Sequence, residues 1–322
     1  MMNAVYPWLS EAWERWKQQL EHQRFASATL INAPHGVGAG QLIEKFSQAL
    51  MCTTQRSEPC GFCHGCELML SATHPDYHLV RPEKEGKSIT VEQIRIANRL
   101  AQESSQLSGF RLIVIEPAEA MNESAANALL KTLEEPAEKC VFILLTHQVS
   151  RLLATIVSRC QQIIIPEPQP QAVMPWLTEQ CQQSIPAFAA HIHGNAPLLT
   201  RAFILQGELQ NYLAIEQQFV QALQGDISAL LNCAKTISGQ PLSGLRWLWY
   251  LLTDAQKTAF GVWQPYFTPQ SQWLAQARSL SLLQQQTDSL AQLINQLQGF
   301  SGLNSELLIA DWLFKFNEET CL

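Results

Sequence analysis

The chain has 322 residues and a formal net charge of −7; apolar residues make up 47% of it and charged residues only 15%. So many core-forming side chains exclude global disorder, and an acidic chain does not grip nucleic acid by overall charge, so any DNA contact has to be local or shared with partner chains. No apolar run approaches the ~18 residues of a membrane span, and the opening segment, with its charges and Trp8, Trp13 and Trp16, has no secretory apolar region, so a cytoplasmic location without a membrane partner is expected.

The length suggests two or three domains, and the composition shifts along it. Most Lys and Arg precede residue 160, whereas the rest is rich in Gln, Leu and Trp. Pro166, Pro168 and Pro170 mark the seam, because closely spaced prolines continue neither a helix nor a central strand. Along the first half, Ser10 is read as an N-cap, with Trp13, Trp16 and Leu20 at helical spacing behind it. Residues 28–32 form an apolar strand, followed by a glycine-rich turn at 33–40 and a helix to about Met51. A second strand is expected at 77–80. Thr90 and Gln93 fit a capping box and open a helix to about Gln102. A third strand is read at 112–115, a helix at 123–134 stopped by Pro136, and a fourth strand at 141–145. A short helix near 150–157 leads to a fifth strand at 162–165. Apolar strands alternating with helices imply an α/β fold, a parallel five-stranded sheet covered on both faces. Beyond the seam, 171–205 reads as short helices. From about 208 the pattern is amphipathic and helical, with Leu283, Leu290, Leu293, Ile294 and Leu297 on one face and Leu307, Leu308 and Phe314 in a final helix.

Four constellations carry chemistry. The turn after the first strand has the place and length of a P-loop, G-x-x-x-x-G-K-[ST]. Here it reads Ala33-Pro34-His35-Gly36-Val37-Gly38-Ala39-Gly40. Gly36 and Gly38 are present, but Ala39 replaces the phosphate-binding Lys and Gly40 the hydroxyl that holds Mg²⁺. The turn reads as a vestigial P-loop; a plain strand-to-helix turn and a working variant are the competing readings. The third strand ends in Glu116-Pro117; Glu116 stands where a Walker B strand carries its metal carboxylate, and Pro117, where a catalytic base would follow, cannot accept a proton. Cys60, Cys63 and Cys66 form C-x2-C-x2-C, and Cys52, eight residues upstream, or His64 completes a four-ligand set. In a cytosolic chain this fits one structural Zn²⁺ better than disulfides; redox-active or free thiols are the alternative. Cys140, Cys160, Cys181, Cys233 and Cys321 are scattered and read as buried or free thiols. Finally, Ser158-Arg159-Cys160 follows the short helix and precedes the fifth strand. In oligomeric P-loop ATPases an arginine here faces the neighbouring subunit's nucleotide and can act in trans; a surface arginine is the plainer reading.

Together with Gly109-Phe110-Arg111, Asn122, and the run from Asn127 to Pro136, these features resemble the delta-prime family of bacterial DNA polymerase III clamp-loader subunits. The resemblance is close over about 1–165 and looser beyond. It implies an AAA+ domain at 1–165 containing the zinc module at 52–66, a helical lid at 166–207 and a helical collar at 208–322 that joins subunits into a ring. In such a ring, gamma/tau subunits hydrolyse ATP between delta and delta-prime, and the assembly loads a sliding clamp onto primed DNA during DNA replication. The resemblance further implies that Arg159, flanked by Ser158 and Cys160, serves an adjacent gamma/tau site without ATPase activity here. Pro197, in the sensor-2-like stretch Gly194-Asn195-Ala196-Pro197 where active relatives carry Arg, agrees. The rivals are a gamma/tau-like ATPase with an unusual P-loop, and a zinc-dependent DNA-binding adaptor outside any ring. The first is disfavoured by three missing chemical groups, the second by the lack of a basic stripe around Cys60–Cys66.

Overall fold

The structure, a computed structural model, describes residues 5–318 apart from residues 56, 85, 108 and 301. The chain divides into two compact units, which meet in sequence between Ala172 and Val173.

The first unit starts with a 3₁₀ turn at Pro7–Leu9 that runs into α1, Ser10–Glu21. Ser10 is therefore not an N-cap: the proline-led turn already occupies that place, and the Ser10 hydroxyl donates back to the Pro7 carbonyl at 2.8 Å. Then come β1 (Ala28–Asn32), α2 (Ala39–Met51), α3 (His64–Leu70), β2 (Tyr77–Val80), α4 (Val91–Gln102), β3 (Arg111–Ile115), α5 (Glu123–Glu134), β4 (Cys140–Thr146), α6 (Ala154–Val157) and β5 (Gln161–Ile164). The strands form one parallel sheet of order β2-β3-β4-β1-β5, the fold class expected from the sequence. In register, Leu30 of β1 faces Leu144 of β4 on one side and Gln162 of β5 on the other.

Period-two alternation in these strands feeds two separate cores. Ile31, Leu112, Val114, Val141, Ile143 and Leu145 point to the face covered by α1 and α2, where Trp13, Trp16, Leu20 and Phe46 fill the layer. Leu30, Ile113, Ile115, Phe142 and Leu144 point to the other face, against Ile94, Ala97, Leu129, Leu133 and Ile156 of α4, α5 and α6. Each fully buried side chain of this size contributes about 1.5–3 kcal/mol relative to exposure. The capping box of α4 is present: Thr90 Oγ1 accepts the Gln93 N–H while the Gln93 side chain accepts from Thr90. Asn122 caps α5 by accepting the Ala125 N–H at 2.8 Å.

The second unit is helical. It comprises α7 (Pro170–Cys181), whose first turn precedes the division, α8 (Ala187–His191), α9 (Pro197–Leu205), α10 (Glu208–Leu223), α11 (Ile227–Ser238), α12 (Pro241–Ala259), α13 (Ser271–Ala277), α14 (Leu280–Gly299) and α15 (Ser305–Glu318). Helix α12 packs on α13 and α14, α10 on α11, and α11 on α15. Phe203 of α9, Tyr212 of α10 and Trp247 of α12 meet edge to face, so the helices of 187–205 share a core with those that follow. Of the expected stripe on α14, Leu283, Leu290 and Leu293 are buried; α15 buries Ile309, Trp312, Leu313 and Phe316 and leaves Leu307 and Phe314 exposed. Among the described residues, no helix is long and apolar enough to cross a membrane.

Candidate functional site

The turn between β1 and α2 is built on glycine. Gly36 and Gly38 sit at φ 82° and 81°, a left-handed region that only glycine enters without cost, and Gly38 caps α2. The Ala33 N–H donates to the Thr146 carbonyl at 3.0 Å, tying the loop to the end of β4. The segment before α1 lies against it: the Trp8 indole N–H donates to the Val37 carbonyl at 2.8 Å, and the Tyr6 N–H to Gln41 Oε1 at 3.1 Å. Ala39, at the lysine position, is 3% exposed and belongs to the core beneath the loop. A Cβ at Gly40 would stand 3.5 Å from Glu116 Oε1. The Glu116 carboxylate therefore faces Gly40, and its second oxygen accepts from Arg81 Nη2 at 2.9 Å. An arginine of the same chain thus pairs with Glu116. Nearby, Glu119 Oε1 accepts the His147 N–H at 3.0 Å. The site thus keeps the glycine backbone and one acidic group, and lacks the lysine, the hydroxyl and a base at Pro117.

The four cysteines converge. The Sγ atoms of Cys52, Cys60, Cys63 and Cys66 lie within 4.8 Å of one another, with Cys52–Cys63 at 3.8 Å and Cys60–Cys66 at 3.9 Å. Four sulfurs at the Zn–S distance of about 2.3 Å from one tetrahedral centre are separated by about 3.8 Å, so the donor set fits Zn²⁺ in size and chemistry. His64 is not part of the cluster. Backbone N–H groups support the sulfurs: Gln55 donates to Cys52 Sγ at 3.3 Å and Cys63 to Cys60 Sγ at 3.4 Å. Burial works to raise the Cys63 thiol, but hydrogen bonds from Thr53 and from the Cys66 N–H outweigh it and bring it down to about 5, whereas burial pushes the neighbouring Cys66 thiol up to about 12. Gly65, inside α3, is a close-approach glycine: a Cβ there would lie 2.2 Å from the Met51 carbonyl oxygen. That contact seats the module on the end of α2.

Ser158, Arg159 and Cys160 bridge α6 and β5. Cys160 is buried, which pushes its thiol up to about 11; burial also raises Cys140 to about 11 and Cys233 to about 12. These are inert core thiols, while Cys181 is half-buried and Cys321 lies outside the described residues. The Ser158 hydroxyl donates to the Thr155 carbonyl at 3.2 Å. Arg159 is partly exposed and paired with Glu134 at the end of α5. In the second unit Pro197 opens α9 behind its N-cap Ala196, which follows Gly194 and Asn195, both at positive φ.

Two interactions escape a reading of the sequence alone. Arg111, the first residue of β3, is 2% exposed; it pairs with Asp76 at 3.0 Å and donates to the Leu100 and Ser104 carbonyls. Burial works to raise Asp76, yet the N–H groups of Gln106 and Leu107 and the Arg111 guanidinium hold it below the usual carboxylate range. The second is buried Glu216 of α10, which accepts from the Tyr212 hydroxyl at 3.2 Å and the Gln270 N–H at 3.0 Å. Beside it, Asp254 accepts the Thr268 N–H at 3.0 Å and lies 2.8 Å from His191 Nε2. The one sequence signal that marks Glu216 is its place as an acid on the apolar stripe of Tyr212, Ile215 and Phe219.

The family profile described as DNA polymerase III, delta subunit, matches residues 8–170, and that of the delta subunit's C-terminal part matches 206–318. A protein of Escherichia coli (strain K12) named DNA polymerase III subunit delta' is 35% identical over 323 residues, covering 96% of this chain and 94% of its own length. The protein of that name from Yersinia pestis is 34% identical over 331 residues, covering 98% and 96%. That from Pseudomonas aeruginosa is 36% identical over 247 residues, covering 75% and 71%. Matched along both units by profiles and by relatives of nearly equal length, the chain belongs to the delta-prime family of DNA polymerase III subunits.

Proposed function

We propose that the chain is the non-catalytic stator of a clamp-loader ring, in which gamma/tau subunits hydrolyse ATP and, with delta, load a sliding clamp onto primed DNA in the cytoplasm. The observation that carries the reading is the state of the P-loop. Ala39 is buried in the core, Gly40 offers no hydroxyl, and Glu116 is paired with Arg81, so the charge stabilisation that phosphoryl transfer needs is missing. In this reading Arg159 acts in trans on ATP bound to an adjacent gamma/tau subunit. Its planar, permanently charged guanidinium suits phosphate oxygens. Residues 166–207 serve as the lid and 208–322 as the collar that holds the ring together. Cys52, Cys60, Cys63 and Cys66 hold a structural Zn²⁺, which supplies cross-linking of the module and no open coordination position.

The test is steady-state ATPase. The isolated chain should show no Mg²⁺-dependent hydrolysis, and Ala39→Lys should not create any, since the hydroxyl and the base are still absent. In a reconstituted ring with clamp and primed DNA, Arg159→Ala should leave assembly intact and lower the rate partially, because one of several sites is served. Hydrolysis by the isolated wild-type chain would replace this reading with that of an active ATPase subunit. An undiminished rate for Arg159→Ala in an assembled ring would remove the trans role.

A further inference from the structure

Glu134 is the last residue of α5, and its carboxylate crosses to the α6 edge. Arg159 Nε donates to Glu134 Oε1 at 2.7 Å, and Nη2 donates to the same oxygen; on the other side, Nη1 donates to the Thr155 carbonyl oxygen at 2.9 Å. A guanidinium carries five N–H donors in one plane. Three are engaged within the chain, which leaves two for a ligand, one on each terminal nitrogen. The anchors come from two different elements, α5 and α6, whose Leu133 and Ile156 are buried in the same core against the sheet. The plane of the guanidinium is therefore set by packed structure rather than by the arginine's own flexible stem. The pair contributes little to folding, since the Arg159 and Glu134 side chains are 31% and 47% exposed and water screens such charges.

We propose that Glu134 is a positioning residue for Arg159. It fixes one edge of the guanidinium so that the two remaining donors are presented together to the phosphate oxygens of a nucleotide on a neighbouring subunit. The inference rests on the trans role of Arg159 proposed above. Without Glu134, Arg159 keeps its charge and the Thr155 contact but loses its lateral restraint. A guanidinium displaced by about 1 Å forfeits much of its effect on a transition state, while the affinity for ATP, set by the subunit that binds it, stays the same.

The experiment compares Glu134→Ala, Glu134→Gln, Arg159→Ala and the double Ala variant in the reconstituted ring with clamp and primed DNA, with assembly and thermal stability checked for each. Glu134→Ala should lose at least half of the rate that Arg159→Ala loses, entirely in kcat, with KM for ATP unchanged. Glu134→Gln keeps an oxygen acceptor in the same place and should recover most of it. The double variant should be no slower than Arg159→Ala alone, because two residues acting as a unit are not additive. If Arg159→Ala is impaired while Glu134→Ala retains the wild-type rate, the positioning role is wrong and the trans role stands. A faster Glu134→Ala ring would make the pair a restraint that withholds Arg159, which also overturns the proposal, as would a double variant slower than both singles. If Arg159→Ala itself runs at the wild-type rate, the trans role fails, and the inference fails with it.

Discussion

Replacing Glu216 by Gln should make the helical unit more stable in alkaline solution and leave it unchanged in acid. Glu216 is 3% exposed on α10. Burial raises its pKa from the ordinary 4.5 to about 7, and the neighbouring Asp254 carboxylate adds to the rise, against hydrogen bonds from Gln270 and Tyr212 that lower it. Between those two values the folded chain holds a proton that the unfolded chain has released. Stability therefore falls as pH rises from about 4.5 to about 7 and stays reduced above it. At roughly 1.36 kcal/mol per pKa unit, the penalty at pH 8 is about 3 kcal/mol. Gln is neutral at every pH and keeps the acceptor oxygen for the Gln270 N–H and the Tyr212 hydroxyl, so it removes the penalty and nothing else. For a unit of this size the gain corresponds to roughly 2–4 °C per kcal/mol in the melting temperature. The assay is urea unfolding at pH 4.5, 6, 7 and 8 followed by tryptophan fluorescence, which Trp247 and Trp312 report from the core of the same unit. A stability difference between variant and wild type that is the same at pH 4.5 and pH 8 would refute the reasoning, as would a less stable variant at pH 8.

Asp76→Ala should destabilise the sheet unit by up to roughly 3–5 kcal/mol, because it removes the buried partner of Arg111 and leaves only the half-exposed Glu103, 3.2 Å away, to balance the guanidinium; denaturant unfolding reads the loss, and a change under 1 kcal/mol counts against a charged buried pair. Elemental analysis of protein purified without chelator should find one zinc per chain. Stripping that zinc should speed amide exchange through 52–70 while β1, β3 and β4 stay protected, since no strand lies within the module. Gly65→Ala should weaken zinc retention without touching a ligand, because its Cβ would meet the Met51 carbonyl at 2.2 Å and neither backbone segment can move aside cheaply; zinc release to a competing chelator at the wild-type rate would show the contact to be dispensable.

The sheet was legible because β1, β3 and β4 are apolar runs buried on both faces, flanked by the shorter and more exposed edge strands β2 and β5; the strand ends were less so. Arg111, Cys140 and Thr146 extend β3 and β4 beyond the apolar runs; a charged residue reads as loop until Asp76 and two carbonyls supply its partners. Ser10 shows the converse error, a good capping residue displaced by a proline-led turn one step earlier. Helix α3 was illegible, being seven residues long and starting inside the cysteine run. The cysteine set was readable from spacing, but the choice of Cys52 over His64 needed the fold, which brings residue 52 from the end of α2 to within 3.8 Å of Cys63. Arg81–Glu116 and Arg159–Glu134 join residues 35 and 25 positions apart, and neither periodicity nor motif encodes such a pairing.

The two cores on opposite faces of the sheet have a consequence for how this chain could change over time. The glycine turn, Ala39 and the end of α2 that seats the zinc module belong to one layer; α5, α6 and the arginine edge belong to the other, and the buried strands β3 and β4 stand between them. Substitutions in layers that share no side-chain contact add independently. The lysine and the hydroxyl of a nucleotide site could thus be lost one after another on the first layer with the geometry around Arg159 undisturbed on the second. If Arg159 serves a neighbouring subunit as proposed, this sheet gives the chain a partition that lets drift on the glycine-turn side proceed under strict selection on the arginine side.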